Sequence, residues 1–268
     1  MSGRAPAIFV SHGAPSVLAE TGPWQLSLEM IGRETKPRAV VIMSAHWRSR
    51  AGFDVGFQDE FETVHDFSGF SESLQQFIYP GKGDQDVAQQ CVDLLKGAAF
   101  SSALDLSHGL DHGAYVPLHF LWPKGNVPII PVAISSKARP QDIFRVGEIL
   151  APLRNEGVLI LGSGGMVHNL GEIATETPTS SIPESWASEF EEWVLKALAD
   201  RDFSALCDFR EYAPHGQKAH PTWEHFAPLI FVAGSASAWN EDFQELYRGW
   251  TFGSLSMTSV GFGINYRQ

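Results

Sequence analysis

The sequence is poor in cysteine and in basic residues, and it contains no long apolar run. Its two cysteines, Cys91 and Cys207, lie far apart and form no CxxC pattern, so neither a disulfide framework nor a thiolate metal site is indicated. The 19 Lys and Arg are outnumbered by 31 Asp and Glu, and a net charge of −12 argues against nucleic acid or an anionic membrane as a partner. No run reaches the roughly eighteen apolar residues that a membrane helix needs.

The remaining composition is that of an ordinary soluble protein, with 44% hydrophobic and 19% charged residues. The apolar segment near the N-terminus is too short for a signal peptide, so we expect a cytoplasmic protein. Histidine is the unusual feature, since ten are present. A histidine-rich, cysteine-poor and acidic chain suits a metal ion bound by imidazoles.

Short apolar runs alternate with amphipathic segments along the chain. Ala7–Val10, Ala39–Met43 and Val158–Leu161 are typical of strands that are buried on both faces. Asp84–Lys96 and Pro183–Asp200 show helical spacing of apolar residues. We therefore predict an α/β fold, a three-layer sandwich around a central, largely parallel or mixed sheet. No linker or shift in composition divides the chain, so residues 1–268 are expected to form one domain.

Two further segments carry specific predictions. Val127–Ile134 has the composition of a strand, but Pro128 and Pro131 cannot donate backbone hydrogen bonds and favour an edge or an irregular path. Thr222 is placed to cap a helix that would carry His225 in its first turn.

Histidines follow three of the predicted strands. His12, His46 and His168 each come within a few residues of a buried apolar run. In an open α/β sheet, ligands bind in the crevice outside the carboxyl ends of the strands, so the three imidazoles are expected to converge there. With His225 as a fourth member, the set predicts a site for Fe(II) or Zn(II). Any one of these histidines alone is more often structural.

Glu224 leaves the ligand set open. A carboxylate near a helix start commonly interacts with the helix dipole. It is also the residue type that completes a site of two histidines and one carboxylate, as in non-haem Fe(II) oxygenases. The residues alone do not choose between Glu224 and His225.

Several other residues have a functional and a structural interpretation. Gly162–Gly165 matches neither a phosphate-binding loop nor a nucleophile elbow, and is interpreted as a turn that brings His168 over the sheet edge. His112 is a candidate acid, base or substrate hydrogen-bond donor, or a helix-start histidine without function. The aromatic residues that are candidates either for stacking on a substrate ring or for the core are Trp47, Phe67 and Trp223.

Seven motifs in series carry a resemblance to a known family. They are SHGAP at Ser11–Pro15, SAHW at Ser44–Trp47, HDFSGF at His65–Phe70, LDHGAYVPL at Leu110–Leu118, GSGGMVHNL at Gly162–Leu170, HPTWEHFAPL at His220–Leu229 and GSLSMTSVGFG at Gly253–Gly263. The series spans nearly the whole chain. It resembles the class III extradiol ring-cleaving dioxygenases, and within them the bacterial and plant 4,5-DOPA extradiol branch.

The resemblance implies a ligand set and catalytic roles. Metal ligands would be His12, His46 and His225, with His168 near or on the metal. His168 would also be the catalytic base, and His112 would contact substrate and dioxygen. Fe(II) would be the active metal, Zn(II) is plausible as a bound ion, and the substrates would be a catechol-type ring and dioxygen.

Two alternatives stay open at this point. One is a zinc hydrolase that uses a metal-activated water, although no HExxH motif is present. The other is a non-catalytic metal-binding relative of the same fold. No motif indicates an oligomeric state.

Overall fold

The computed structural model describes residues 3–173 and 182–264. Within them the strands are β1 Ala7–Ser11, β2 Ala39–Ser44, β3 Arg48–Ser49, β4 Val55–Gly56, β5 Leu104–Asp105, β6 Ile129–Pro131, β7 Ile134–Ser135, β8 Val158–Gly164, β9 Phe243–Tyr247, β10 Trp250–Thr251, β11 Leu255–Ser256 and β12 Ser259–Phe262. The helices are α1 Pro23–Glu34, α2 Glu72–Gln75, α3 Gln85–Gly97, α4 His112–Leu121, α5 Pro140–Leu150, α6 Ser185–Ala199, α7 Phe203–Cys207, α8 Phe209–Tyr212, α9 Gly216–Ala219 and α10 Ala227–Ser237. Short 3-10 helices span Pro15–Ala19, Ala151–Glu156 and Leu170–Glu172.

A mixed six-stranded sheet lies at the centre, in the order β6-β2-β8-β1-β12-β9. The strands from β6 to β1 are parallel, whereas β12 and β9 are antiparallel to their neighbours. Val127–Ile134 does not form one strand. It is divided between β6, which lies at the sheet edge as its prolines favour, and β7, which pairs with β3 outside the sheet.

Helices cover both faces of this sheet. Side chains alternate along β2, so that Val40 and Ile42 join the core beneath α1 and α4, while Val41 and Met43 join the core beneath α3, α5, α6 and α10. This confirms the predicted three-layer α/β architecture. None of the helices in the two described ranges is long and apolar enough to cross a membrane.

The predicted helix start at Thr222 is wrong. α10 begins at Ala227, with Pro228 in its first turn, where the missing backbone N–H costs no hydrogen bond. Thr222 instead donates from its hydroxyl to Oε1 of Glu224 at 2.7 Å. His225 therefore lies in the turn before α10 and not within the helix.

Candidate metal centre and its cleft

The parallel strands β1, β8 and β2 end at the same level. Ser11 at the end of β1 pairs with Gly164 of β8, and Ser44 at the end of β2 pairs with Ser163. The next residues of the two outer strands leave the sheet at one edge, as expected for the ligand crevice of an open α/β sheet. A histidine follows β1 directly and another follows β2 after one residue.

Three imidazole nitrogens meet above this edge. Nε2 of His46 lies 3.3 Å from Nε2 of His12 and 3.3 Å from Nε2 of His225. Two nitrogens bound to one tetrahedral ion at 2.0–2.1 Å are separated by ~3.3 Å. Each of the two separations is therefore that of a pair of ligands on one metal ion.

The hydrogen bonds on the far side of the rings fix the tautomers of two of these residues. Nδ1 of His12 lies 3.0 Å from the hydroxyl of Ser163, which itself donates to the carbonyl of Gly113 and so accepts from the ring. Nδ1 of His46 lies 3.2 Å from Oδ2 of Asp66. In both rings the hydrogen is on Nδ1, and the lone pairs of the two Nε2 atoms face each other. Such an arrangement is repulsive without a cation, so the donor set fits a divalent metal ion.

His225 is supported from its far side by Glu224. Nδ1 of His225 lies 3.5 Å from Oε1 of Glu224 and has no hydrogen-bond partner among the described residues. Burial alone would raise the pKa of Glu224, but its contacts with His225 and Thr222 lower the pKa to about 2. Of the two candidates that the sequence left open, His225 thus lies among the other imidazoles, and Glu224 contacts its opposite side.

Asp66 bridges two of the histidines and was missed at the sequence level. Its Oδ1 accepts from Nδ1 of His112 at 2.8 Å and from the backbone N–H of His112 at 3.1 Å, while Oδ2 faces His46. Burial would raise the pKa of Asp66, but these hydrogen bonds lower it well below its usual value. Asp66 lies in the HDFSGF motif, from which only Phe67 is proposed as a site residue on sequence grounds.

His112 approaches the metal candidates closely at the start of α4. One nitrogen each of His12, His46 and His112 lie within 4.8 Å of one another. Asp111 positions the helix, because its Oδ1 accepts from the hydroxyl of Ser44 at 2.6 Å and from the backbone of Ala114 at 3.0 Å. His112 is therefore held beside the end of β2.

His168 lies flat against His225. The ring centroids are 3.6 Å apart with 3° between the planes, and the backbone N–H of His168 donates to the carbonyl of Ala219 at 3.1 Å. Burial, together with the neighbouring His225 and His220, lowers the pKa of His168 to about 2. The ring is therefore neutral at neutral pH. The pKa values of His12 and His225 are also lowered, mainly by burial.

The glycines of β8 let the turn before α10 lie directly on the strand. A Cβ at Gly164 would clash with the carbonyl of His225, and one at Gly162 would clash with the carbonyl of Pro228. Gly165 donates its N–H to the carbonyl of His225 at 3.0 Å. Gly162 and Gly164 lie within the strand and not in a turn, so their role is this close approach and the position it gives His225.

The five histidines line a cleft of about 370 Å³. Its other walls come from the 3-10 segment after β1, the loop after β8 and the β10–β11 hairpin. The lining residues besides the histidines are Gly13, Ala14, Pro15, Ser16, Phe70, Gly164, Gly165, Val167, Leu170, Ile173, Phe252, Leu255 and Ser256. Among the described residues that line the cleft, Phe70 and Phe252 are the aromatic side chains besides the histidines, and Trp47, Phe67 and Trp223 are not part of this lining. Trp47 is buried and stacks on His108, with 4.3 Å between centroids.

Comparisons with known proteins agree with this geometry. Residues 6–263 match the family model described as the catalytic LigB subunit of aromatic ring-opening dioxygenase. The chain is 34% identical over 259 residues to a 4,5-DOPA dioxygenase extradiol of Beta vulgaris, covering 95% of each chain. It is 35% identical over 268 residues to a protein of the same name from Escherichia coli K12, covering 98% of this chain and 96% of that one.

A solved structure gives the same result at the level of the fold. The crystal structure of an uncharacterized protein from Escherichia coli K12 superposes with a TM-score of 0.81 at 30% identity, covering 97% of this chain and all of the other. The relatives give no support to a zinc hydrolase or to a non-catalytic protein. The chain belongs to the LigB family of class III extradiol dioxygenases and is a metal-dependent, non-haem enzyme that opens aromatic rings.

Proposed function

We propose that the enzyme cleaves a catechol ring beside its two hydroxylated carbons, with Fe(II) held by His12, His46 and His225. The observation that carries the ligand assignment is the pair of 3.3 Å contacts that join three Nε2 atoms. His112 is the competing third ligand, because one nitrogen each of His12, His46 and His112 lie within 4.8 Å of one another. The shorter 3.3 Å contacts favour His225. Iron is preferred over zinc because zinc has no redox chemistry, although the same imidazoles would also hold Zn(II).

The reaction needs no co-reactant besides dioxygen. The carbon–carbon bond between a hydroxylated ring carbon and its unsubstituted neighbour breaks. One oxygen atom becomes the aldehyde oxygen on the unsubstituted carbon, and the other completes a carboxylate on the hydroxylated carbon. The second hydroxyl group stays on its carbon, so the product is a hydroxymuconic semialdehyde. Bound Fe(II) would supply a common site for catechol and dioxygen and a path for electrons from the ring to dioxygen.

His168 and His112 would move or hold protons around the ring. His168 lines the cleft and stacks on the ligand candidate His225, so we assign it the removal of a catechol proton. His112 holds its Nδ1 hydrogen against Asp66, which fixes the orientation of the ring. We assign His112 a hydrogen bond to the negative charge that develops on oxygen.

The location of the protein and the extent of the domain are also proposals. We propose a cytoplasmic enzyme, since both cysteines are buried and unpaired, as is usual in a reducing compartment. We propose that residues 1–268 form one catalytic domain, supported by the match of one family model to residues 6–263.

The test is anaerobic loading with Fe(II), removal of excess metal, and addition of oxygen with a panel of catechols that includes DOPA. We expect a yellow ring-cleavage product and uptake of one dioxygen per catechol, and no product from Zn(II)-loaded protein. His225→Ala should lose the metal. His168→Ala should keep it and lose turnover by about a hundredfold or more. Fully iron-loaded protein that cleaves no catechol would contradict the proposal.

A further inference from the structure

We propose that the cleft selects catechols whose ring substituent is apolar and uncharged, such as an alkyl or aryl group, over catechols that carry a carboxylate. The inference rests on the proposed function, because the diol must bind at the imidazoles for the substituent to reach the cleft walls. It concerns the part of the substrate that does not react.

The wall beyond the histidines is apolar. Val167, Leu170 and Ile173 line it from the segment after β8, and Phe252 and Leu255 line it from the β10–β11 hairpin. Leu170 keeps 60% of its surface exposed, so an apolar side chain remains uncovered at this position. A substituent that covers such surface gains roughly fourfold in affinity for each buried methylene.

Phe252 is held in this wall at a conformational cost. Its φ of +53° lies in the left-handed region, which an aromatic residue rarely adopts, and Gly253 follows with φ +70°. The turn is fixed by the backbone N–H of Glu184, which donates to the carbonyl of Gly253 at 2.7 Å. Strained backbone of this kind persists where the surroundings hold it, and it concentrates at ligand sites. The strain here places an aromatic ring beside the substrate.

The cleft has no cation to receive a carboxylate. Among the described residues that line it, none is Lys or Arg. Two cations of adjoining segments are already paired: Lys218 lies 3.0 Å from Glu172, and Arg248 lies 2.7 Å from Glu191. The hydroxyl of Ser256, which does line the cleft, donates to Glu191 at 2.6 Å. A substrate carboxylate would therefore lose its hydration without a compensating partner.

The decisive experiment compares three catechols that differ in one feature. Unsubstituted catechol reports the ring-cleavage reaction itself, whereas 4-propylcatechol and 3-(3,4-dihydroxyphenyl)propanoate have side chains of similar length that differ in charge. We expect kcat/KM for the propyl compound to exceed that for the acid by about tenfold or more, mainly through KM. The same order is expected for Kd values measured anaerobically with metal-loaded protein.

The outcomes separate this inference from the proposed function. If unsubstituted catechol is cleaved but the acid is bound and cleaved as well as the propyl compound, the substrate class is wrong and the reaction stands. If no catechol is cleaved, the proposed reaction fails, and the anaerobic Kd values still decide the preference of the cleft.

A charge-introducing variant tests the position of the wall. Leu170→Arg places a cation at the exposed edge of the cleft and should shift the acid-to-propyl ratio of kcat/KM by about tenfold towards the acid. Leu26→Arg on α1 is the matched control, because Leu26 is 59% exposed and lies outside the lining. If the acid-to-propyl ratio of kcat/KM does not change in Leu170→Arg, or if it shifts equally in both variants, the substituent does not lie against the wall that contains Leu170.

Discussion

Asp66 orients two histidines of the site, although it lies in an exposed loop. One carboxylate accepts from His46 on one oxygen and from His112 on the other, so a metal-ligand candidate and a substrate-facing candidate share one support. Partners of this kind fix the tautomer of a metal-binding histidine and raise its basicity. The orientation of the two rings is therefore coupled through Asp66.

Replacement of Asp66 should weaken metal binding without unfolding the protein. Asp66→Asn removes the negative charge and one acceptor, and we expect the affinity for Fe(II) or Zn(II) to fall by about ten- to a hundredfold. A competition titration against a chromophoric chelator measures this directly. Glu62→Gln, a charge removal at an exposed residue of the same loop, is the control. Equal affinities of the two variants would mean that Asp66 does not support the metal site.

At the scale of elements, the contact between β8 and the turn before α10 places His225. A side chain at Gly164 would push on the carbonyl of His225, so the strand and the turn can touch only where the strand has no Cβ. The turn is also held in place by a hydrogen bond, because the backbone N–H of Gly165 donates to the same carbonyl of His225. The position of a ligand candidate thus depends on residues that never contact the metal.

Gly164→Ala should therefore damage both stability and the site. Overpacking of this kind costs about 1–3 kcal/mol, and the displaced His225 should also lower metal affinity. Gly97→Ala at the end of α3 is the control, because a Cβ there meets nothing within 4 Å. Urea unfolding of the metal-free proteins and a metal titration measure the two effects. If the Gly164→Ala protein is as stable as the control, the backbone at His225 can move away from the added methyl group at little cost, and the prediction is wrong.

The predicted elements that were confirmed depend on short stretches of sequence. Ala39–Met43 is apolar and β-branched, and Asp84–Lys96 has one apolar face, so each predicts its own structure. The arrival of His12 and His46 at one sheet edge followed from the parallel order of strands alone.

The features that sequence reasoning missed depend on contacts between distant segments. Thr222 has the chemistry of a helix cap, but Pro228 and the packing of the turn on β8 set the start of α10 at Ala227. Asp66 and Phe252 gain their roles from neighbours far along the chain. The roles of His168 and His112 stay predictions, since position alone does not establish them.

For the molecule as a whole, buried histidines should make stability depend on acid. His220 is fully buried among Phe190, Phe209 and Phe226, and burial lowers its pKa to about 3. Its unfolded pKa is near 6.5, so the unfolded chain binds the proton more tightly. The contribution of neutral His220 to the free energy of unfolding is therefore fully present above about pH 6.5, and it is lost as the pH falls towards about 3.

The slope of this loss tests the contribution of His220. In metal-free protein, His220→Phe should make the free energy of unfolding less dependent on pH between about 6.5 and 3, by up to about 1.4 kcal/mol per pH unit. The measurement is urea unfolding across this pH range. Parallel curves for the wild type and His220→Phe would contradict the prediction.

The position of β1 in the middle of the sheet bears on synthesis at the ribosome. β1 carries the residue before His12 and is hydrogen-bonded to β8 on one side and to β12 on the other. Roughly 250 residues separate Ser11 from Ser259, which at 5–20 residues per second corresponds to about 12–50 s of translation. Throughout that time the backbone N–H and C=O groups on one edge of β1 have no native partner, and the turn with His225 has not yet emerged for most of it. The nascent chain therefore depends on protection from aggregation, and metal can be captured at the complete set of imidazoles only late in synthesis.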